Sequence, residues 1–134
     1  MKKKTPISEV MTDFPYSIPL HSTVEAARAM MRELDIRHLP VQDGSKLVGI
    51  MSDRDAKFAS GWETGSKKDL KVADVYRPNP YVVEPSTPLD EVVLRLAEAG
   101  IGSALVVQKG KLLGIFTTVD ACRLFAHHLR DECA

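Results

Sequence analysis

The chain has 134 residues, with 18 basic and 18 acidic side chains and a formal net charge of zero. Hydrophobic residues make up 44% and charged residues 27%, which is typical of a globular protein of one ordinary domain length. The balanced charge argues against a general electrostatic footprint for nucleic acid. No uncharged stretch reaches the roughly 18 apolar residues that a membrane span needs. We therefore expect a cytoplasmic protein without a membrane segment.

The first half of the chain predicts an extended segment, a helix, two strands and a second helix. The predicted helix start is a capping box, followed by apolar residues at helical spacing. The glycine of the tight turn between the strands supplies a positive φ. In chain order these features are the extended segment Tyr16–Ile18, the capping box Ser22-Thr23-Val24-Glu25, the strands His38–Val41 and Lys46–Ser52 around Asp43-Gly44-Ser45, and the helix Asp53–Ser60.

The second half of the chain predicts the same elements in the same order. Its helix start carries proline at the first helical position, where the missing N–H costs nothing. These features are the extended segment Tyr81–Val83, the helix start Thr87-Pro88-Leu89-Asp90, the strands Ser103–Gln108 and Lys111–Thr117 around Lys109-Gly110, and the helix Thr118–Asp131.

The two halves are copies of one unit. Shifting the chain by 65 residues places Ile7–Ala56 on Val72–Ala121 without a gap, and twelve of the fifty aligned positions are identical. Such an internal repeat fixes the architecture. Strand–helix–strand crossovers favour parallel pairing and tight turns favour antiparallel pairing. We predict an α/β fold of two pseudo-twofold related βαββα repeats, residues 1–66 and 67–134, each a small mixed sheet with helices on one face.

Each repeat carries a Ser/Thr-x-x-Asp pattern where its last strand enters its last helix. The pairs are Ser52 with Asp55 and Thr117 with Asp120. The pattern is typical of a helix cap, with the carboxylate favoured by the helix dipole. An ionised Asp also offers two oxygens to the hydroxyls of a ribose, and a helix N-terminus offers N–H groups to phosphates. The two interpretations are compatible, and both stay open at this point.

The strands around these pairs resemble the CBS domain, whose tandem pair is called a Bateman module. The likeness covers about residues 5–130. The segments that carry it are Ile36–Val41 and Leu47–Asp55 in the first copy, and Ile101–Val107 and Leu112–Asp120 in the second.

The resemblance implies a regulatory module that binds an adenosine-containing ligand in clefts between its repeats. AMP, ADP or ATP is the expected ligand, with S-adenosylmethionine or NAD as less favoured choices and no required cofactor. The family's ribose-binding positions fall on Ser52 and Asp55 in one cleft, and on Thr117 and Asp120 in the other. The resemblance further implies a homodimer that signals to an effector protein whose identity the sequence does not give.

The two predicted clefts differ in charge. The family's phosphate-binding positions hold basic residues in the first repeat and uncharged residues in the second. If the basic residues reach across, the cleft of Thr117 and Asp120 receives their positive charge, and phosphorylated nucleotide should prefer that cleft. The predicted binding set therefore also includes Arg37, His38 and Arg54 from the first repeat, Gly102 and Ser103 from the second, and Ile18 and Val83 from the extended segments.

Most of these residues also have structural explanations. Arg54 can pair with Asp53 or with Glu residues on the surface, and such a pair contributes little energy. Arg37 and His38 suit an exposed and a half-buried strand position, and Gly102 suits a relaxed turn. Two further features predict packing: the recurring Tyr16 and Tyr81, and the apolar stretches Val92–Leu96 and Leu124–Leu129, which are candidates for the dimer contact.

Other function classes have weaker support. The sequence offers no nucleophile–base order, P-loop or further paired carboxylates, so we expect no catalysis. Cys122, His127, His128 and Cys133 lack the spacing of a metal site. The alternative function is a nucleic-acid-binding or purely structural dimerisation module, for which Lys2–Lys4 with Lys67 and Lys68 would supply a basic patch.

Overall fold

A computed structural model of the chain describes residues 4–13, 15–62 and 70–133. The chain divides into two compact units. The first-repeat unit is Tyr16–Pro80, and the second-repeat unit combines Met1–Pro15 with Tyr81–Ala134. Within the described ranges, no helix combines the length and the apolar character that crossing a membrane requires.

The secondary structure repeats in the two units. In chain order the elements are a 3₁₀ turn at Ile7–Glu9, β1 Thr12–Asp13, β2 Ile18–Pro19, α1 Val24–Leu34, β3 His38–Asp43, β4 Lys46–Ser52, α2 Asp53–Trp62, α3 Val72–Val75, β5 Arg77–Pro78, β6 Val82–Val83, α4 Leu89–Ala99, β7 Ser103–Gln108, β8 Lys111–Thr117 and α5 Thr118–Cys133.

Each unit contains a four-stranded mixed sheet. The strand order is β2-β3-β4-β5 in the first-repeat unit and β1-β8-β7-β6 in the second-repeat unit. In both units, the strand before the first helix of the repeat (α1 or α4) pairs in parallel with the strand after that helix. The hairpin that follows is antiparallel. The hairpin turns use positive φ at Gly44 (64°) and Gly110 (77°). The predicted α/β architecture with small mixed sheets is confirmed.

In each unit a helix packs against alternate strand residues, which share one face of the sheet. In the first-repeat unit, Leu39, Val41 and Met51 pack with Ala27 and Met31 of α1. In the second-repeat unit the core comprises the matching strand residues with two residues of α4, namely Ala104, Val106, Phe116, Val92 and Leu96. All ten side chains are at most 3% exposed, so each unit has its own dry core.

The edge strands are exchanged along the chain. β1, near the start of the first copy, pairs with β8 of the second, and β5, near the start of the second copy, pairs with β4 of the first. The same segments meet the helix starts: the Leu89 N–H donates to the Thr5 carbonyl at 2.7 Å, and the Val24 N–H donates to the Leu70 carbonyl at 2.9 Å. Each segment therefore completes the sheet edge and helix start of the unit that contains the other repeat.

The predicted division into residues 1–66 and 67–134 stays a prediction. The predicted boundary between residues 66 and 67 lies outside the described residues. The compact units do not follow sequence blocks, because the first fifteen residues join the second repeat. The periodicity of the sequence identifies the copies, but a pairing between β1 and a strand some hundred residues later leaves no local pattern.

The helix starts differ from the prediction by one residue. The N-cap of α1 is Thr23 and not Ser22, since the Thr23 hydroxyl accepts from the Ala26 N–H at 3.0 Å. Pro88 is the N-cap of α4 and not its first helical residue, and no side chain caps that helix. In both units the backbone contacts from the exchanged segments hold the first helical N–H, which fixes where each helix begins.

Candidate functional site

The two Ser/Thr-x-x-Asp pairs form capping boxes at the start of the last helix of each repeat. At α2, the Ser52 N–H donates to Asp55 Oδ2 and the Asp55 N–H donates to the Ser52 hydroxyl, both at 3.1 Å. At α5, the Thr117 N–H donates to Asp120 Oδ2 at 2.9 Å and the Asp120 N–H donates to the Thr117 hydroxyl at 3.2 Å. The caps satisfy helix N–H groups and fix one carboxylate oxygen of each Asp.

The second carboxylate oxygen distinguishes the two junctions. Asp55 Oδ1 accepts a hydrogen bond from Arg77 Nε at 3.0 Å, and the Asp55 side chain is 10% exposed. Asp120 Oδ1 lies 3.6 Å from Arg123 Nη1, and the Asp120 side chain is 24% exposed. A separation of 3.6 Å is a charge contact and not a hydrogen bond. Asp120 therefore keeps more acceptor capacity than Asp55.

The neighbouring edge strand causes this difference. Arg77 lies on β5, where it is opposite Ile50, and the 65-residue repeat places Thr12 at the matching position on β1, opposite Ile115. A threonine side chain carries no cation, so the junction of Asp120 receives no ion pair from its edge strand. Arg77 is not among the binding residues predicted from the sequence. The repeat aligns Arg77 with Thr12, but this alignment does not show which carboxylate the edge strand reaches.

Three predicted basic residues lie together at the start of α2. His38 is paired with Ser52 across β3 and β4. The Asp53 N–H donates to the Arg37 carbonyl at 2.8 Å, which fixes the backbone of Arg37 beside the capping box. The Arg37 and Arg54 side chains are exposed, and His38 is half-buried. Asp53 pairs with Lys57 at 3.0 Å, which is not the predicted surface pair with Arg54.

The corresponding positions at α5 are uncharged. The Thr118 N–H donates to the Gly102 carbonyl at 3.0 Å, as Asp53 does to Arg37 in the other unit. Ser103 is paired with Thr117 across β7 and β8 and is only 9% exposed. The predicted phosphate-binding positions therefore hold basic residues beside the capping box of Asp55 and uncharged residues beside that of Asp120.

The remaining predicted residues contribute mainly to packing. The side chains of Ile18 and Val83 lie in the two cores at 3% and 8% exposure, which leaves only their backbone groups for a ligand. Tyr81 packs against the core of its unit, as predicted, whereas Tyr16 is 60% exposed and packs in neither core. Burial raises the pKa of the Tyr81 hydroxyl above 10.0, Arg95 opposes this shift, and Glu91 adds to it.

Part of one predicted dimer-contact surface is buried in the core and is therefore not available for a contact. Val92 and Leu96 belong to the core of the second-repeat unit, so among the apolar residues of that stretch only Val93 and Leu94 are exposed. On α5, Leu124, Phe125 and Leu129 are 37–61% exposed. In the proposed lysine patch, Lys4 pairs with Asp90 at 3.4 Å, and the other four lysines lie outside the described residues.

The four residues considered for a metal site, and predicted not to form one, all lie on α5: Cys122, His127, His128 and Cys133. The described residues contain no group of three or more His, Cys, Asp or Glu side chains placed to hold a metal ion. Cys122 is an exposed free thiol, and the side chain of Cys133 lies outside the described part of the chain.

Comparison with known proteins identifies the family. The CBS domain model matches residues 7–60 and 72–127, one match for each repeat. The chain therefore belongs to the CBS-domain family and contains a tandem pair of these domains.

The chain is similar to one curated relative and to two solved structures of comparable length. The chain is 37% identical over 129 residues to an inosine-5′-monophosphate dehydrogenase from Korarchaeum cryptofilum, and it spans only 25% of the length of that protein. It superposes on the crystal structure of AcuB from Vibrio cholerae with a TM-score of 0.85 and 28% identity, over 98% of each chain. It also superposes on CBSX2, crystallised in complex with AMP, with a TM-score of 0.76 and 29% identity, over 91% of this chain and 96% of that one.

Proposed function

We propose that the chain is a regulatory module that binds an adenosine nucleotide, AMP, ADP or ATP. Binding of the nucleotide is signalled to a partner protein. The observation that carries the proposal is the Asp120 carboxylate. It is held by the cap of α5, it remains partly exposed, and its Oδ1 has no hydrogen bond among the described residues. A ligand can signal only if it binds one conformation of the module better than another.

The acceptor count at Asp120 suits a ribose. A carboxylate offers about four lone-pair sites. The Thr117 N–H uses one of them, and Arg123 contributes only a longer charge contact. Two ribose hydroxyls can therefore donate to Asp120 while the helix cap stays intact. Hydrogen bonds to an ionised acceptor are the stronger kind, which makes the sugar a sound anchor for the ligand.

We assign the phosphate contacts to Arg37, His38 and Arg54. Their support is charge and position: they belong to one unit, they lie around the start of α2, and the two arginine side chains are exposed. Guanidinium groups match phosphate oxygens in geometry and charge. Arg54→Gln should therefore weaken ATP binding several-fold and leave adenosine binding almost unchanged, as isothermal titration calorimetry can measure.

The relatives support a nucleotide ligand and do not extend to catalysis. CBSX2 was crystallised with AMP and shares 29% identity with this chain. The dehydrogenase relative is matched over only a quarter of its length. We propose that this chain regulates without a reaction of its own. We further propose a cytoplasmic homodimer that uses the exposed apolar residues Leu124, Phe125 and Leu129 of α5.

The decisive experiment compares the two carboxylates. Thermal shift against AMP, ADP, ATP, NAD and S-adenosylmethionine first identifies the ligand, because a ligand at about 100 times its Kd adds roughly 2.7 kcal/mol to stability. Calorimetry then compares Asp120→Asn with Asp55→Asn, in which the amide oxygen can still cap the helix. We expect Asp120→Asn to weaken binding by about tenfold or more and Asp55→Asn by less than about twofold. Equal losses, or no stabilisation by any of the five ligands, would contradict the proposal.

A further inference from the structure

We propose that Arg77 occupies the carboxylate of Asp55 and so limits the module to one nucleotide. The inference rests on the proposed function, because it concerns the second of the two carboxylates that the repeat supplies. It assigns to Arg77 a specificity-determining role: this side chain decides how many of the two equivalent junctions can accept a ribose.

The contacts of Asp55 leave little room for a sugar. Its Oδ2 accepts from the Ser52 N–H at 3.1 Å, and its Oδ1 accepts from Arg77 Nε at 3.0 Å. The side chain is only 10% exposed. Lone pairs remain on both oxygens, but a carboxylate at 10% exposure has little open surface beside Arg77, so a ribose diol reaches Oδ1 only by displacing the guanidinium. The displacement gives up a charge-assisted hydrogen bond, which is stronger than a bond between neutral groups.

The backbone brings Arg77 to this position. Gly49 has no Cβ, and a Cβ there would collide with the Arg77 carbonyl oxygen. β5 can therefore lie close against β4, with Arg77 opposite Ile50. The Arg77 side chain is 70% exposed along its length, so its removal leaves no large gap in the protein. At the equivalent place on β1 the chain has Thr12, so threonine already occupies the matching edge-strand position in the other unit.

The test is the substitution Arg77→Thr, which copies the residue of the other unit. Calorimetry with AMP should give one nucleotide per chain for the natural protein and two for Arg77→Thr. The affinity at the junction of Asp55 should rise by about tenfold or more. The double variant Arg77→Thr/Asp55→Asn should return to one nucleotide. Arg123→Thr, which removes an exposed arginine at 3.6 Å from the other carboxylate, is the matched control and should leave the number of nucleotides at one.

The outcomes separate this inference from the proposed function. If the natural protein binds AMP and Arg77→Thr still binds one molecule, or if the natural protein already binds two, the role of Arg77 is wrong while the proposed function stands. If Arg77→Thr weakens AMP but not adenosine, Arg77 is a phosphate ligand and the inference is again overturned. If the natural protein binds no adenosine nucleotide at all, the proposed function itself fails.

Discussion

The junctions of β4 with α2 and of β8 with α5 share a local motif but differ in what surrounds it. Both form reciprocal capping boxes, with hydrogen bonds between 2.9 and 3.2 Å. They differ in the second oxygen of the Asp, which is bonded to Arg77 in one unit and has only the longer contact to Arg123 in the other. The local sequence therefore determines the cap, and the exchanged edge strand determines whether the carboxylate is available.

The glycines that pair with the two edge strands, Gly49 and Gly114, also differ in their surroundings. Substituting them should have the largest effect on stability. A Cβ at Gly49 would meet the Arg77 backbone carbonyl and lie 2.5 Å from a Tyr76 ring carbon. At Gly114 it would meet only the flexible Met11 side chain. Gly49→Ala should therefore lower the free energy of unfolding by about 2–3 kcal/mol, and Gly114→Ala by about 1 kcal/mol. Chemical denaturation followed by circular dichroism measures both.

Double variants locate the cause of each loss. Met11→Ala should couple with Gly114→Ala, because the shortened side chain frees the space that the new methyl group needs. Tyr76→Ala should relieve Gly49→Ala only in part, because the carbonyl oxygen of Arg77 remains in place. Equal costs for the two glycine substitutions would show that the edge strands are held equally closely.

The fold was largely predictable from the sequence, because it depends on local patterns that occur twice. The hairpin strand Lys46–Ser52, the strand pair Ser103–Gln108 and Lys111–Thr117, and both hairpin glycines agree with the prediction. These elements follow from alternation and turn chemistry within short segments. The exchange of β1 and β5 was not predicted, because two-residue strands carry no periodic signal and their partners are distant in sequence.

The candidate site was predictable to a smaller extent. The motif positions Asp55 and Asp120 follow from the repeat, and the structure confirms that both cap a helix. Their unequal availability depends on Arg77, which is 22 residues from Asp55 in the chain and is placed by a sheet edge. A side-chain contact of that kind requires the tertiary register, and the sequence alone does not supply it.

The helix starts give a second, smaller contrast between the units. The Thr23 hydroxyl caps α1, whereas Pro88 at the start of α4 offers no side-chain acceptor. Thr23→Ala should therefore cost about 1 kcal/mol of stability. Ser22→Ala and Thr87→Ala, one residue earlier in each unit, should each cost less than about 0.5 kcal/mol. Thermal denaturation of the three variants distinguishes this arrangement from the cap at Ser22 that the sequence pattern predicted, for which Ser22→Ala would be the costly change.

The smallest expected effect concerns the Tyr81 hydroxyl of the second-repeat unit at alkaline pH. Burial raises the pKa of Tyr81 above 10.0, against the effect of Arg95 and with the help of Glu91. Because the folded state then holds this proton more tightly than the unfolded state, its contribution to stability is complete below about pH 10 and is lost as the pH rises through the folded pKa. Tyr81→Phe should remove this part of the alkaline loss. Ultraviolet difference titration between the natural protein and Tyr81→Phe measures the pKa, which Glu91→Gln should lower and Arg95→Gln should raise further. A Tyr81 component that titrates below pH 10 would contradict the raised pKa.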